Sequence, residues 1–158
     1  MKNALRIGLS FGLTSGIITT LGMMVGLNAG THSRVAVIGG ILTIAIADSL
    51  SDALGMHLSE ESEDKHPSGV EVWIATISTL VSKILFTSFF IIPVLTLDLN
   101  TAIMVSIALG MFLLGVLSYA IARSQKTNPL IAIAEHLFIA LIVIVLTSYV
   151  GNWVAVNF

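Results

Sequence analysis

The chain has 158 residues and a mass of 16.7 kDa, enough for one compact domain. It is 56% hydrophobic and 10% charged, against about 25% charged in a typical soluble domain. With a formal net charge of −2 and no cysteine, it has neither the polar surface of a soluble enzyme nor the basic face of a nucleic-acid binder, and it excludes disulfides, zinc–cysteine sites and cysteine nucleophiles.

The expected class is an all-α integral membrane protein, because about 20 apolar residues cross the hydrocarbon core and five stretches of the chain reach that length. The first runs over about 6–27 and reads as a span rather than a cleavable signal, since another span follows at once. Its glycines Gly8, Gly12 and Gly16, then Gly22 and Gly26, recur at intervals of four. They fall within about 120° of arc over about 27 Å of rise. Such a stripe lets two helix backbones approach closely, either another helix of the same chain or the same helix of a second copy, forming a dimer seam. Thr14, Ser15, Thr19 and Thr20 line a polar path or bond back to their own helix.

The second span, about 35–58, carries Asp48 and Asp52 on one face, continued by Met56. Two carboxylates at this spacing can share one cation or hold one proton between them, which is what exchange of metal ions for protons requires. The alternative is a hydrogen-bonded pair holding helices together. The following turn, Ser59-Glu60-Glu61-Ser62-Glu63-Asp64-Lys65-His66, offers hard oxygen ligands for gathering cations, or is a solvated helix end.

The third span, about 70–95, opens on Ser68-Gly69-Val70-Glu71, in the form of a capping box. Lys83 lies at its middle, at about the depth of Asp48. It is expected to pair with Asp48 or Asp52, which lowers the cost of both charges, or to act as a resident counter-cation that cargo must displace. The fourth span covers about 101–122. The fifth, about 130–156, opens on Asn128-Pro129, an N-cap and first helical residue. It carries Glu135, a candidate pathway ligand, and His136, expected to be a hydrogen-bonded packing residue.

Lys2, Arg6, Lys65, Arg123 and Lys126 fall on one side of the membrane if the helices alternate, with Arg34 alone on the other. The positive-inside rule then puts the N-terminus in the cytoplasm. The whole chain, 1–158, is expected to be a single five-helix domain.

The stretch SFGLTSGIITTLGMMVGLNAG, followed by VAVIGGILTIAIADSLSDALGMHLSEESE, resembles the vacuolar iron transporter family. The match rests on a small-residue-rich first helix and on Ser51, Leu54, Gly55, Leu58, Ser62 and Glu63 in the second. Gly115 with Tyr119, and Tyr149 with Gly151, suit its later spans. The resemblance implies a homodimer joined through the first helix, with Gly8, Gly12, Gly16, Gly22 and Gly26 as the seam. It further implies export of Fe2+ or Mn2+ from the cytoplasm in exchange for protons, through a short form lacking the family's cytoplasmic metal-binding domain. The chain departs from the pattern at Phe11 and Asp52, where the family places metal ligands, at Ile44, an acidic position there, and at Asp48, where a small residue is usual. Carboxylates moved in this way suit a harder ion such as Mn2+ or Mg2+.

The resulting expectation is a multi-pass transporter, in the plasma membrane of a prokaryote or the vacuolar membrane of a eukaryote. Its partners are the bilayer, protons and divalent metal ions carried as cargo, with no resident cofactor. Asp48, Asp52, Met56, Glu60, Glu61 and Glu63 are the expected metal ligands, and Lys83 and Glu135 also border the path. No nucleophile–base pair or metal-hydrolase motif suggests an enzyme. The rival expectation is a non-transporting membrane scaffold or regulatory protein of the same fold.

Overall fold

Each apolar stretch forms one helix in the computed structural model, which describes residues 1–63 and 68–158. The helices are α1 (Lys2–Thr31), α2 (Arg34–Glu61), α3 (Gly69–Thr96), α4 (Leu99–Gln125) and α5 (Pro129–Asn157), all long and apolar enough to cross a membrane. Among the described residues there is no strand. Asp64 and His66 of the acidic turn, and Lys65 of the charge count, lie outside the described residues.

The helices run a little beyond the predicted spans because polar caps, not hydropathy, set their ends. Ser33, Asp98 and Asn128 accept backbone N–H bonds from Ala36, Thr101 and Leu130 at 3.3, 3.0 and 3.0 Å. The Thr101 backbone N–H bond holds the Asp98 carboxyl below the usual carboxylate range, with the Thr101 side chain and Arg34 adding to the effect. Ser68 and Glu71 bond reciprocally at the start of α3, as the capping box predicts: Ser68 Oγ accepts from the Glu71 N–H and the Glu71 carboxylate accepts from Ser68, both at 3.3 Å, while the other Glu71 oxygen meets the N-terminal ammonium at 2.5 Å. At the other end α3 breaks at Phe90 and resumes over Ile91–Thr96, with Pro93 in the new first turn, where a missing N–H costs nothing.

Two contacts confirm the alternation of the spans. The N-terminal ammonium meets Glu71 at the start of α3, and Arg6 meets Ser124 near the end of α4 at 3.4 Å. Lys2, Arg6, Arg123 and Lys126 therefore gather at one end of the bundle. Arg34 lies at the other, donating to the Leu97 carbonyl at 2.7 Å.

Helix α1 is the hub. Its N-terminal half runs parallel to α3: Gly8 faces Ala75 and Ser78, Gly12 faces Thr79 and Ser82, and Gly16 faces Lys83 and Thr87. Its C-terminal half runs parallel to α5: Gly22 faces Val143, Gly26 faces Thr147 and Gly30 faces Gly151. A Cβ on Gly12 would lie 2.5 Å from the Thr79 carbonyl oxygen, and one on Gly22 would lie 2.6 Å from Val143 Cγ1. The glycine stripe is therefore covered within the chain. This corrects the assignment of Gly8, Gly12, Gly16, Gly22 and Gly26 to a dimer seam: small residues on α3 and α5 already fill the approach that the glycines permit.

The larger apolar core joins α1, α2, α3 and α4 through Leu21, Met24, Ile41, Phe90 and Leu114. Ala4, Met56 and Ala75 form a small cluster at the N-terminal end. A layer of buried hydroxyls on α3, including Thr79, Ser82 and Thr87, lies against α1. Helix α5 is apolar along most of its length, apart from Glu135 and His136 near its start, and buries little beyond Ala140 and Gly151, as a lipid-facing helix does.

Candidate functional site

The site forms where three helices bring their mid-span charges together. In α2 the α-helical pattern is interrupted by a π-helical turn over Ile44–Asp48, in which the Ser49 N–H reaches the Ile44 carbonyl five residues back. Such turns admit one extra residue and re-aim the side chains beside them. Asp48 is the last residue of this turn, and regular α-helix resumes at Ser49. One turn on, Asp52 falls on the same face.

Lys83 extends from α3 across Gly16, whose added Cβ would lie 3.4 Å from the lysine Cγ. Its ammonium is fully buried and lies 2.5 Å from Asp48 Oδ2. It also bonds Asp52 Oδ2 and donates to Ser15 Oγ at 2.9 Å. Ser15 in turn donates to Asp52 Oδ2 at 2.6 Å. The ammonium thus donates two hydrogen bonds, to Asp52 and Ser15, and meets Asp48 as an ion pair without hydrogen-bond alignment. Counted formally, two carboxylates and one ammonium leave one negative charge.

The carboxylates are less enclosed than the lysine. The Asp48 side chain is 35% exposed and that of Asp52 21%, against 0% for Lys83. A cleft lies one turn away, toward the N-terminal end of α1. Phe11, one turn before Ser15, is exposed and lines a cleft of about 280 Å³ with Met56, Ile7, Ser10, Ile121 and Gln125. Met56 itself is buried at the cleft wall, one turn from Asp52.

Not all the expected ligands converge. Asp48, Asp52 and Lys83 do, and Lys83 pairs with both acids rather than with one. Glu60 is buried at the end of α2, Glu61 lies 3.5 Å from His57 Nε2, and Glu63 is exposed beyond the helix. Among the described residues no three acid, histidine or cysteine side chains gather as a metal-holding group. The expected set of Asp48, Asp52, Met56, Glu60, Glu61 and Glu63 is therefore spread along α2 and does not form one centre. Glu135 is also corrected. It does not join the trio: it is exposed on α5 and lines a cleft with Ile121, Gln125, Asn128 and His136, because α5 packs on α1 and α4. His136 bonds Ser118 Oγ at 2.8 Å, as a packing histidine does.

Two features escaped the sequence reading. Ser15 was only one of several hydroxyls in α1, yet it is the one that bridges lysine and aspartate. The polar stripe Thr76, Thr79, Lys83 and Thr87, at spacings of three and four, marks the α3 face that meets the α1 glycines. Thr79 donates to the Gly8 carbonyl at 3.2 Å, and Thr20 meets Thr87 at 3.2 Å.

Chemically, the site is a cage of hard oxygens filled by a tethered cation and reachable from the side. It can exchange that ammonium for another cation, or it can lock three helices together. No family model, no curated protein and no solved structure matches the chain.

Proposed function

We propose that the chain is a membrane transporter that exports a divalent metal ion, Fe2+ or Mn2+, from the cytoplasm in exchange for protons, with Asp48 and Asp52 as the exchange site. The observation that carries this reading is the buried Lys83 ammonium between two carboxylates at mid-span, one of them 35% exposed. Ionisable groups at membrane depth cost at least about 2.5–3.5 kcal/mol each on insertion scales and characteristically line ion or proton paths. Lys83 holds the cage when no cargo is present, and cargo must displace its ammonium. The oxygen donors of Asp48, Asp52 and Ser15 favour the harder Mn2+. The cluster of Lys2, Arg6, Arg123 and Lys126 at one end of the bundle supports a cytoplasmic N-terminus.

The proposal includes a homodimer. Its seam is the α1–α2 face carrying Phe11 and Asp48, which leaves a polar mid-span group uncovered in the single chain. The decisive measurement is Mn2+ uptake into proteoliposomes under an imposed pH gradient. Uptake is expected with the wild-type protein and is expected to vanish in Asp48→Asn/Asp52→Asn. Uptake that survives the double substitution, or is absent from the wild type, overturns the reading.

One observation favours a second reading, a non-transporting scaffold: within the single chain Lys83 is already paired with both carboxylates and bonded to Ser15. That reading expects no Mn2+ binding by calorimetry.

A further inference from the structure

We propose that the groove between α1 and α4 at the N-terminal end of the bundle is a binding site for an anionic phospholipid of the adjoining leaflet. The groove has a volume of about 360 Å³. Its mouth carries Lys2, Arg6 and Ser124, and its walls are Leu5, Leu9 and Leu117, among others. Lys2, Arg6, Leu9 and Leu13 stand three or four residues apart and so share one face of α1. From Lys2 to Leu13 the helix rises about 16 Å, close to half of the roughly 30 Å hydrocarbon core. The groove is thus one leaflet deep, with its charge at the headgroup level and its apolar wall at the acyl level.

Charge complementarity names the occupant. Arg6 donates to Asn3 Oδ1 at 2.8 Å and to Ser124 Oγ at 3.4 Å, both neutral. Among the described residues neither Arg6 nor Lys2 forms an ion pair. Glu71, the acid at this end of α3, is occupied by the N-terminal ammonium at 2.5 Å. Two cations therefore stand beside a serine hydroxyl, with no carboxylate paired to either among the described residues. A guanidinium fork and an ammonium are matched by a phosphate, and basic pockets between membrane helices recognise anionic headgroups. The exposed Leu5 and Leu9 give the acyl chain a continuous apolar track below that phosphate. A soluble phosphate has no use for this track.

The test uses the full chain in neutral detergent, with native mass spectrometry of adducts formed with phosphatidylglycerol and with phosphatidylcholine. Wild-type protein is expected to hold phosphatidylglycerol about 10- to 30-fold more tightly than phosphatidylcholine, the effect of two surface cations. Lys2→Gln/Arg6→Gln is expected to bring the two lipids to parity. Ala120→Phe places a ring in the groove and leaves both cations in place, and it is expected to remove the preference equally. Both substitutions fall on exposed positions, and a retained elution volume shows that the fold persists. Equal binding of the two lipids by the wild type overturns the proposal, as does an unchanged preference in either variant. Glycerol phosphate competing as well as the intact lipid overturns the role of the groove. A shift from dimer to monomer in Ala120→Phe with lipid preference intact overturns it too, since the groove then seats a second copy.

Discussion

The Lys83 ammonium is held by three oxygens, through hydrogen bonds to Asp52 and Ser15 and an ion pair with Asp48. Lys83→Met keeps the length of the side chain and removes the charge, leaving two carboxylates facing each other at mid-span. Removing one partner of a buried pair costs about 3–5 kcal/mol. The lower end applies here, because Asp48 is 35% exposed and can recruit water. Adding Asp52→Asn removes one stranded charge, so Lys83→Met/Asp52→Asn is expected to regain most of the lost stability. Thermal unfolding of the three proteins in one detergent checks this. A Lys83→Met melting point equal to that of the wild type shows that the trio contributes nothing to the fold. The trio was legible in the sequence for a physical reason: a charge inside an apolar stretch is rare, and depth along two antiparallel helices places Asp48 and Lys83 at one level. Ser15 was not singled out, because a serine in a membrane helix commonly satisfies itself on its own backbone. Only the packing of α1 between α2 and α3 turns its hydroxyl outward.

Among the elements, α1 shows how far a pattern informs and where it stops. The glycine stripe specifies close approach but not the partner, since small residues occur on α3, on α5 and on any second copy of α1. The structure assigns the first half of the stripe to α3 and the second half to α5. Gly12→Ala would bring a methyl group to 2.5 Å from the Thr79 carbonyl oxygen. Backbone cannot step aside as a flexible side chain does, so α1 and α3 must separate, at a cost of about 1–3 kcal/mol. Gly115 in α4 has nothing within 4 Å of an added Cβ, so Gly115→Ala is expected to be neutral or to stabilise by about 0.5–1 kcal/mol through helix propensity. Opposite shifts in melting temperature for the two variants are the expected result. Equal shifts would mean that the seam is looser than its geometry implies. The π-helical turn in α2 left no trace in the sequence. It contains neither proline nor glycine, and its residues lie against α1 and α3.

At the scale of the whole molecule, the five spans and their alternation follow from hydropathy and charge, but the assembly depends on which surfaces remain open. Most of the exposed surface is apolar and suits lipid. The α1–α2 face is different, because Asp48 in α2 is 35% exposed at mid-span, and Phe11 in α1 is exposed one turn before the Ser15 that joins the same trio. Lipid cannot solvate that carboxyl, and a second copy related by a twofold axis can cover it while being covered in return. The chain has no cysteine, so single introduced thiols report proximity without background. Phe11→Cys, one turn from Ser15 on this face, is expected to give a disulfide-linked dimer when membranes are treated with a mild oxidant. Phe138→Cys is the control, since Phe138 is 62% exposed on the lipid-facing α5, and it is expected to stay monomeric. A dimer is expected to persist when Phe11→Cys is diluted with excess lipid, because a seated interface keeps its geometry and random encounter does not. Cross-linking at Phe138 and none at Phe11 would move the seam to α5 and leave the Asp48 face without a second copy to cover it, as in a protomer that carries its whole ion path by itself.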